Sequence, residues 1–338
     1  MHHAAAMSRL RRGVASAATA IVILLAGLAP AFAQGPEAAA FPSRAIRLIL
    51  PFTTGSPPDP VLRAMAEEMT QKLGQLVMVD PRPGSAGVVA AAALVNAPAD
   101  GYTVALLGTP PVATIPHLQR NLPYRVEQLQ PVTNVIQGAF YLTVRADMPA
   151  ANLRDLAAHT RRSASPTPFV IVGMGSSPHL LMMVYAERSG ARVEPVVYRS
   201  ESLGAVDMLA GRVPMYLGTL VPIHGYAQEG KLRILATTAP RRLGILPDVP
   251  TVAEAGFPEM EMVYWNGIFA SNEVPRPIVD KLNAAFVASM HSPAVAAAVA
   301  KVPELALAPS TPDAFAEITR RDRERLGGII RQYGITVE

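Results

Sequence analysis

Two short segments of this chain hold residues whose types and spacing could do chemistry. The first is Thr53-Thr54-Gly55-Ser56-Pro57-Pro58-Asp59-Pro60, which follows the apolar run Ala45–Leu50. Hydroxyls, a glycine and a carboxylate in one loop suit an oxygen-rich ligand, although its three prolines have no N–H to donate. The second is Gly173-Met174-Gly175-Ser176-Ser177-Pro178-His179, which follows the apolar run Phe169–Val172. Ser177 before Pro178 fits an N-cap followed by proline at the first helical position. The free N–H groups and the positive dipole end of such a helix attract a carboxylate or similar anion. A plain capped helix is the alternative reading of the same residues.

Other chemistries fit less well. Ser176 or Ser177 with His179 supplies a nucleophile and a base by type, but a triad also needs a third group to orient the base. The segment lacks the third glycine and the following acid of a dinucleotide fingerprint, and it is not Gly-x-Ser-x-Gly. The seven histidines include no His-x-x-x-His pair and join no acidic cluster, so no metal site is expected. No cofactor is expected either. Trp265, the only tryptophan, reads as a core residue, with a place in a pocket wall as the alternative.

Alternating strand and helix patterns position these loops. The order predicted is strand Ala45–Leu50, helix Val61–Leu73 closed by Gly74, strand Leu76–Val79, helix Val88–Asn96 and strand Thr103–Leu107. This β-α-β-α-β order argues a parallel sheet with helices on its faces. In the first loop, Ser56 as cap of a helix from Pro57, and Asp59 as cap with Pro60 at the first position, both fit. A second cycle has strands Tyr141–Val144, Phe169–Val172, Val193–Tyr198, Val213–Leu217 and Arg233–Thr237, with helices Asn152–His159, Leu180–Arg188 and Leu203–Ala210 between them. The last part reads as helices Ile278–Met290, Pro293–Lys301 and Pro312–Tyr333.

Arg9, Arg11 and Arg12, an apolar run from Val14 to Leu28, and Ala31-Phe32-Ala33 form the three parts of a secretory signal peptide, with cleavage expected after Ala33. The apolar run is shorter than the roughly 20 residues of a spanning helix. The formal charge of the 338-residue chain is +4, and residues 1–33 hold three arginines and no acid, so the mature chain stands near +1. That balance, with no basic stripe interleaved with aromatics, gives no footprint for nucleic acid. The chain has no cysteine, which excludes disulfides, a lipidated cysteine anchor and thiol chemistry.

A set of further motifs, taken in order, resembles one family. They are Phe41-Pro42-Ser43, Pro51-Phe52 with Gly55, Asp59 and Arg63, Arg82-Pro83-Gly84, Asp100-Gly101-Tyr102-Thr103, Leu122-Pro123-Tyr124, Gly175-Ser176-Ser177-Pro178-His179-Leu180 and Gly230-Lys231-Leu232-Arg233. The clearest is Leu246-Pro247-Asp248-Val249-Pro250-Thr251-Val252-Ala253-Glu254-Ala255-Gly256. Over nearly the whole mature chain, the sequence resembles the extracytoplasmic solute receptors of tripartite tricarboxylate transporters, also called Bug receptors. The resemblance implies an α/β fold of the two-domain periplasmic binding protein kind (type II-like), each domain a mostly parallel sheet flanked by helices, with a cleft between them. On that reading 1–33 is the signal peptide and 34–40 a linker. Residues 41–140 plus 262–338 form one domain, and 141–261 the other.

The resemblance also implies a small carboxylate ligand, no reaction performed on it, a periplasmic monomer, and the permease subunits of a membrane transporter as partner. A receptor that serves a sensor kinase, and a periplasmic Ser/His hydrolase, are the alternatives. The implied ligand contacts are Phe52, Thr53, Thr54, Gly55, Ser56 and Asp59 in the first loop and Gly175, Ser176, Ser177 and His179 in the second. Thr109, Tyr198 and Thr219 complete the set. Two departures from the family matter. The first loop has Ser56 for a glycine and additional prolines, so the hydroxyls of Thr53, Thr54 and Ser56 are expected to replace lost backbone donors. And Leu217-Gly218-Thr219 carries no acid where amino-acid-binding relatives have one. A ligand without a free amine is therefore expected, because an unpaired buried ammonium is costly.

Overall fold

The computed structural model describes residues 40–56, 58–302 and 304–336. The expected signal peptide with its cleavage site, residues 34–39 of the linker, and Pro57 lie outside the described residues.

Aliphatic runs apolar on both faces need cover on both sides. The chain meets that need with two sheets. β1 (Ile46–Leu50), β2 (Val77–Pro81), β3 (Thr103–Gly108) and β4 (Leu129–Ala139) belong to the first. β5 (Tyr141–Arg145), β6 (Thr167–Ile171), β7 (Val193–Val197), β8 (Met215–Gly218) and β9 (Leu232–Thr237) make the second, in the order β7-β6-β8-β5-β9. The chain then returns to the first sheet with β10 (Val263–Ser271) and β11 (Ala306–Leu307), giving β11-β4-β10-β3-β1-β2. The parallel order expected from the sequence holds for β2-β1-β3 and for β7-β6-β8. The remaining ladders are antiparallel, so each sheet is mixed.

Helices cover the faces. α1 (Asp59–Leu73) buries Val61, Leu62, Met65, Ala66 and Met69, the three-and-four spacing of one helical face. It stops at Gly74, whose φ of 65° is the left-handed C-cap conformation. α2 (Val88–Val95) follows β2. In the second unit α3 (Leu153–Arg162) is capped by Asn152, whose side chain accepts from the N–H groups of Arg154 and Asp155. α4 (Ser177–Ser189), α5 (Glu201–Leu209) and α6 (Val221–Gln228) complete it. α7 (Arg276–Met290), α8 (Pro293–Val299) and α9 (Pro312–Gln332) follow β10. Phe315, early in α9, joins the core of Ile49, Leu107, Trp265 and Phe269. Leu326 and Ile330, late in α9, join the core of Leu142, Phe169, Leu180 and Tyr185. One helix thus packs against both cores. Among the described residues no single helix is long and apolar enough to cross a membrane.

The crossings between the sheets converge on Thr238, which is fully buried. Its N–H donates to the carbonyl of Phe140, and the N–H of Phe140 donates to its Oγ1, both at 2.9 Å. Its hydroxyl donates to the carbonyl of Met262 at 2.6 Å, and the Met262 N–H donates back to its carbonyl at 2.9 Å.

Candidate functional site

In open α/β sheets, ligands sit beyond the C-terminal ends of the strands. A cavity of about 330 Å³ lies there, against both sheets. Its wall takes Phe52 and Pro58 from beyond β1, Thr109 and Pro110 from beyond β3, Ser176, Ser177 and Pro178 from beyond β6, and Thr219 from beyond β8. Tyr264, Trp265 and Asn266 of β10, Phe140 at the crossing, Tyr216, Leu217, Glu201 and Glu304 also line it. Among the described residues, the lining includes no Lys, Arg or His.

The loop before α4 is built to present N–H groups. The cap position falls on Ser176, one residue before the Ser177 expected from sequence, and the Ser176 side chain makes no capping bond. The hydroxyl is buried and has no hydrogen-bond partner. His179 holds the loop instead, its Nδ1 accepting the Gly175 N–H at 2.9 Å. Burial lowers the His179 pKa, favouring the neutral ring that this acceptor role needs. Gly175 has φ 73°, and a Cβ there would run into the Leu118 side chain. The first N–H groups of a helix have no intrahelical acceptor, so the start of α4 offers donors together with an unused hydroxyl.

The first loop folds differently from either arrangement expected. α1 starts at Asp59 with Pro58 at the cap position, its φ of −74° already helical, and neither Ser56 nor Asp59 caps the helix. The Asp59 carboxylate turns back to accept the Gly55 N–H at 2.9 Å and pairs with Arg63 at 3.0 Å. Burial raises its pKa, but the Gly55 N–H and Arg63 outweigh that and the net direction is down. The Ser56 hydroxyl is buried without a partner, whereas Thr53 and Thr54 are exposed.

The structure therefore brings Phe52, Thr109, Ser176, Ser177 and Thr219 to one cavity wall. Thr53, Thr54, Gly55, Ser56, Asp59, Gly175, His179 and Tyr198 are not among the residues that line it. Gly55, Asp59, Gly175 and His179 are occupied in holding the two loops. Tyr198 points its hydroxyl to Asp207 at 2.9 Å. Thr109 accepts the Trp265 N–H at 3.3 Å. Trp265 is both core and wall: it is 2% exposed, and its Nε1 donates to Asp322 at 2.8 Å.

Two acids in the wall were not anticipated. The expectation of a ligand without a free amine rested on the missing acid in Leu217-Gly218-Thr219, and two carboxyls reach the wall from other parts of the chain. Glu201, from α5, receives both the N–H and the hydroxyl of Thr219. Glu304, from the stretch before β11, receives the N–H groups of Leu220 and Val221 at the start of α6 on its Oε2. Burial raises both carboxyls, Glu304 to about 7 against the pull of its two N–H donors, and Glu201 pushes it further up. The signal in the sequence was faint: Glu304 is a lone acid in the apolar stretch Val302–Leu307, and Glu201 reads as an ordinary first-turn helix acid.

Residues 61–335 match the profile of the family described as Tripartite tricarboxylate transporter family receptor. A protein from the tcbD–tcbE intergenic region of Pseudomonas sp. (strain P51) is 31% identical over 316 residues, 92% of this chain and 94% of that protein. BugT of Bordetella pertussis is 30% identical over 299 residues, covering 87% and 90%. Among solved structures, MatC from Rhodopseudomonas palustris with bound malate superposes with a TM-score of 0.71 at 25% identity, covering 86% of this chain and all of that one. An R. palustris protein with adipate gives a TM-score of 0.75 at 25% identity, covering 88% and 100%.

Proposed function

Because the chain belongs to the tripartite tricarboxylate transporter receptor family, we propose that it is a periplasmic receptor that captures a small carboxylate and hands it to the permease subunits of such a transporter. The observation that carries this reading is the start of α4. Its free N–H groups and the unpartnered Ser176 hydroxyl face a cavity of about 330 Å³, a size suited to a small metabolite. The relatives solved with malate and adipate hold dicarboxylates, which supports a carboxylate here.

Phe52, Thr109, Ser176, Ser177 and Thr219 are the proposed contacts. Gly55, Asp59, Gly175 and His179 are proposed to act through loop shape. The two proposed domains, 41–140 plus 262–338 and 141–261, would close on ligand by rotation at the Thr238 crossing, ligand contacts to both halves driving the motion. With Glu201 and Glu304 in the wall, the missing acid after β8 gives no argument against a free amine in the ligand.

No reaction on the ligand is proposed. His179 has its Nδ1 committed to Gly175 and is itself 2% exposed, which disfavours it as a base for a serine nucleophile. Mass spectrometry of ligand carried through native purification, with titration of the stripped protein, tests the proposal. A stoichiometric carboxylate released unchanged supports it. Turnover that disappears in Ser176→Ala or Ser177→Ala refutes it. Mature protein exported to the periplasm is expected to begin at Gln34.

A further inference from the structure

A second cavity, of about 570 Å³, shares no lining residue with the first. Its wall comes from residues 116–127 and from α9. Among the described residues the first cavity has no Lys, Arg or His in its lining, whereas this one has Arg120, Arg125, Arg323 and Arg331. Two acids answer those charges only in part. Glu127 pairs with Arg323 at 3.0 Å and feels Arg125 as well. Glu324 pairs at 2.8 Å with Arg320, which is not part of the lining. Among the described residues, the side chains of Arg120 and Arg331 have neither an ion pair nor a hydrogen bond. Each guanidinium carries five N–H donors and a fixed charge, and a concave wall concentrates the field of such charges.

The packing beneath these arginines is an independent observation. Arg323, Gly327 and Arg331 follow one another in α9 at four-residue spacing, so they share one face of the helix. Glycine weakens a helix interior, but here the space is used. A Cβ on Gly327 would lie 2.5 Å from the His117 ring. The imidazole fills the gap between the two arginines, and its Nε2 donates to the Arg323 carbonyl at 3.0 Å. Burial lowers the His117 pKa, and Arg331 and Arg323 lower it further against the pull of that bond. The ring is therefore neutral at about pH 7 and adds a polar wall without adding charge. Tyr124 gives a fixed floor: it is buried, and its hydroxyl donates to the Pro111 carbonyl at 2.5 Å.

We infer that this cavity is a second binding site, for a small polyvalent oxyanion held by Arg120 and Arg331 with Arg125 and Arg323 beside them. Guanidinium forks match the paired oxygens of phosphate and carboxylate groups, so pyrophosphate-like and tricarboxylate-like anions share the required chemistry. The volume is that of a small-molecule site, and the tethered floor and seated imidazole make a shaped pocket, which favours a small anion over an acidic protein segment. The inference goes beyond the receptor reading and does not depend on it.

Calorimetric titration of the mature protein with inorganic pyrophosphate tests it, with citrate run in parallel. Ionic strength is held constant with sodium chloride, so that general screening does not change along the titration. Arg120→Gln and Arg331→Gln remove one charge each from exposed positions, and circular dichroism checks that both variants are folded. Arg162→Gln, at the exposed end of α3, removes the same charge far along the chain and serves as the control. Ser176→Ala marks the first cavity.

Pyrophosphate is expected to bind stoichiometrically with a Kd of roughly 0.1 mM or lower. Arg120→Gln and Arg331→Gln should each weaken it roughly tenfold, while Arg162→Gln and Ser176→Ala change it by less than about twofold. Citrate binding that weakens in the same two variants extends the site to carboxylates, and citrate binding that ignores them restricts it to phosphates; the site stands in both cases. No saturable pyrophosphate binding up to about 10 mM, or equal weakening in Arg162→Gln, overturns the inference. So does weakening by Ser176→Ala alone, which would place the anion in the first cavity. Binding of an Asp- and Glu-rich peptide by a protein that ignores pyrophosphate overturns it as well. None of these results touches the receptor reading, which rests on the first cavity.

Discussion

Replacing Glu304 by Gln is the sharpest probe of the cavity. The amide oxygen can still accept from Leu220 and Val221, so the substitution removes charge and proton binding with little change of shape. The Glu304 carboxyl is raised from 4.5 to about 7, mainly by burial. Because the native pKa lies above the unfolded one, the native state binds more protons between these values. Stability therefore falls as pH rises through that window and levels off above it. The displacement corresponds to about 3 kcal/mol lost between about pH 4.5 and pH 7, including the part owed to repulsion by Glu201. Urea unfolding followed by the fluorescence of Trp265, the only tryptophan, measures it at about pH 5 and about pH 8. Wild type should lose about 2.5 kcal/mol more than Glu304→Gln across that interval. Equal losses in the two proteins would refute the burial argument.

Three other substitutions separate binding from folding. Ser176→Ala removes a hydroxyl that has no partner among the described residues, so the free energy of urea unfolding should change by less than about 0.5 kcal/mol. Ligand affinity should drop roughly tenfold or more. Gly218→Ala drives a methyl into the Tyr216 hydroxyl and Glu201 Oε1. Overpacking of this kind costs about 1–3 kcal/mol, and calorimetry should show weakened ligand binding as well. His179→Ala leaves the Gly175 N–H without its acceptor and should cost about 1–3 kcal/mol. The His179 pKa is lowered by burial, so wild type loses stability as pH falls below the ordinary histidine value, and the variant should lose that acid sensitivity.

The sequence was most readable where one local pattern decided the outcome. β1 and β3 stand out as apolar runs because both their faces are covered, and Gly74 marks the end of α1 because only a glycine takes that φ without strain. β4 does not stand out, since Pro131, Thr133 and Asn134 interrupt its pattern and register shifts interrupt its ladder with β10. The two loops were found because strand-to-helix junctions are local. Their inner bonding was not, because Asp59 could cap its helix or turn back to Gly55, and only the closed loop decides between them. The acids show the limit most clearly. The sequence suggests the end of β8 as the place for a charge partner, while the carboxyls arrive from α5 and from the stretch before β11. Electrostatic pairing is settled by distance in space, which spacing along the chain does not report.

The Thr238 crossing bears on the timescale of amide exchange. Segments that join two moving bodies are ordinarily the first to exchange their protons, since their hydrogen bonds open with the motion. Here the amides of Phe140, Thr238 and Met262 are each bonded within the crossing, around a residue with no exposed surface. In deuterium these three amides should rank with the central strands as the slowest in the protein. Rotation of one sheet against the other would then have to proceed by small changes in backbone angle on either side of the crossing, without breaking a bond at its centre.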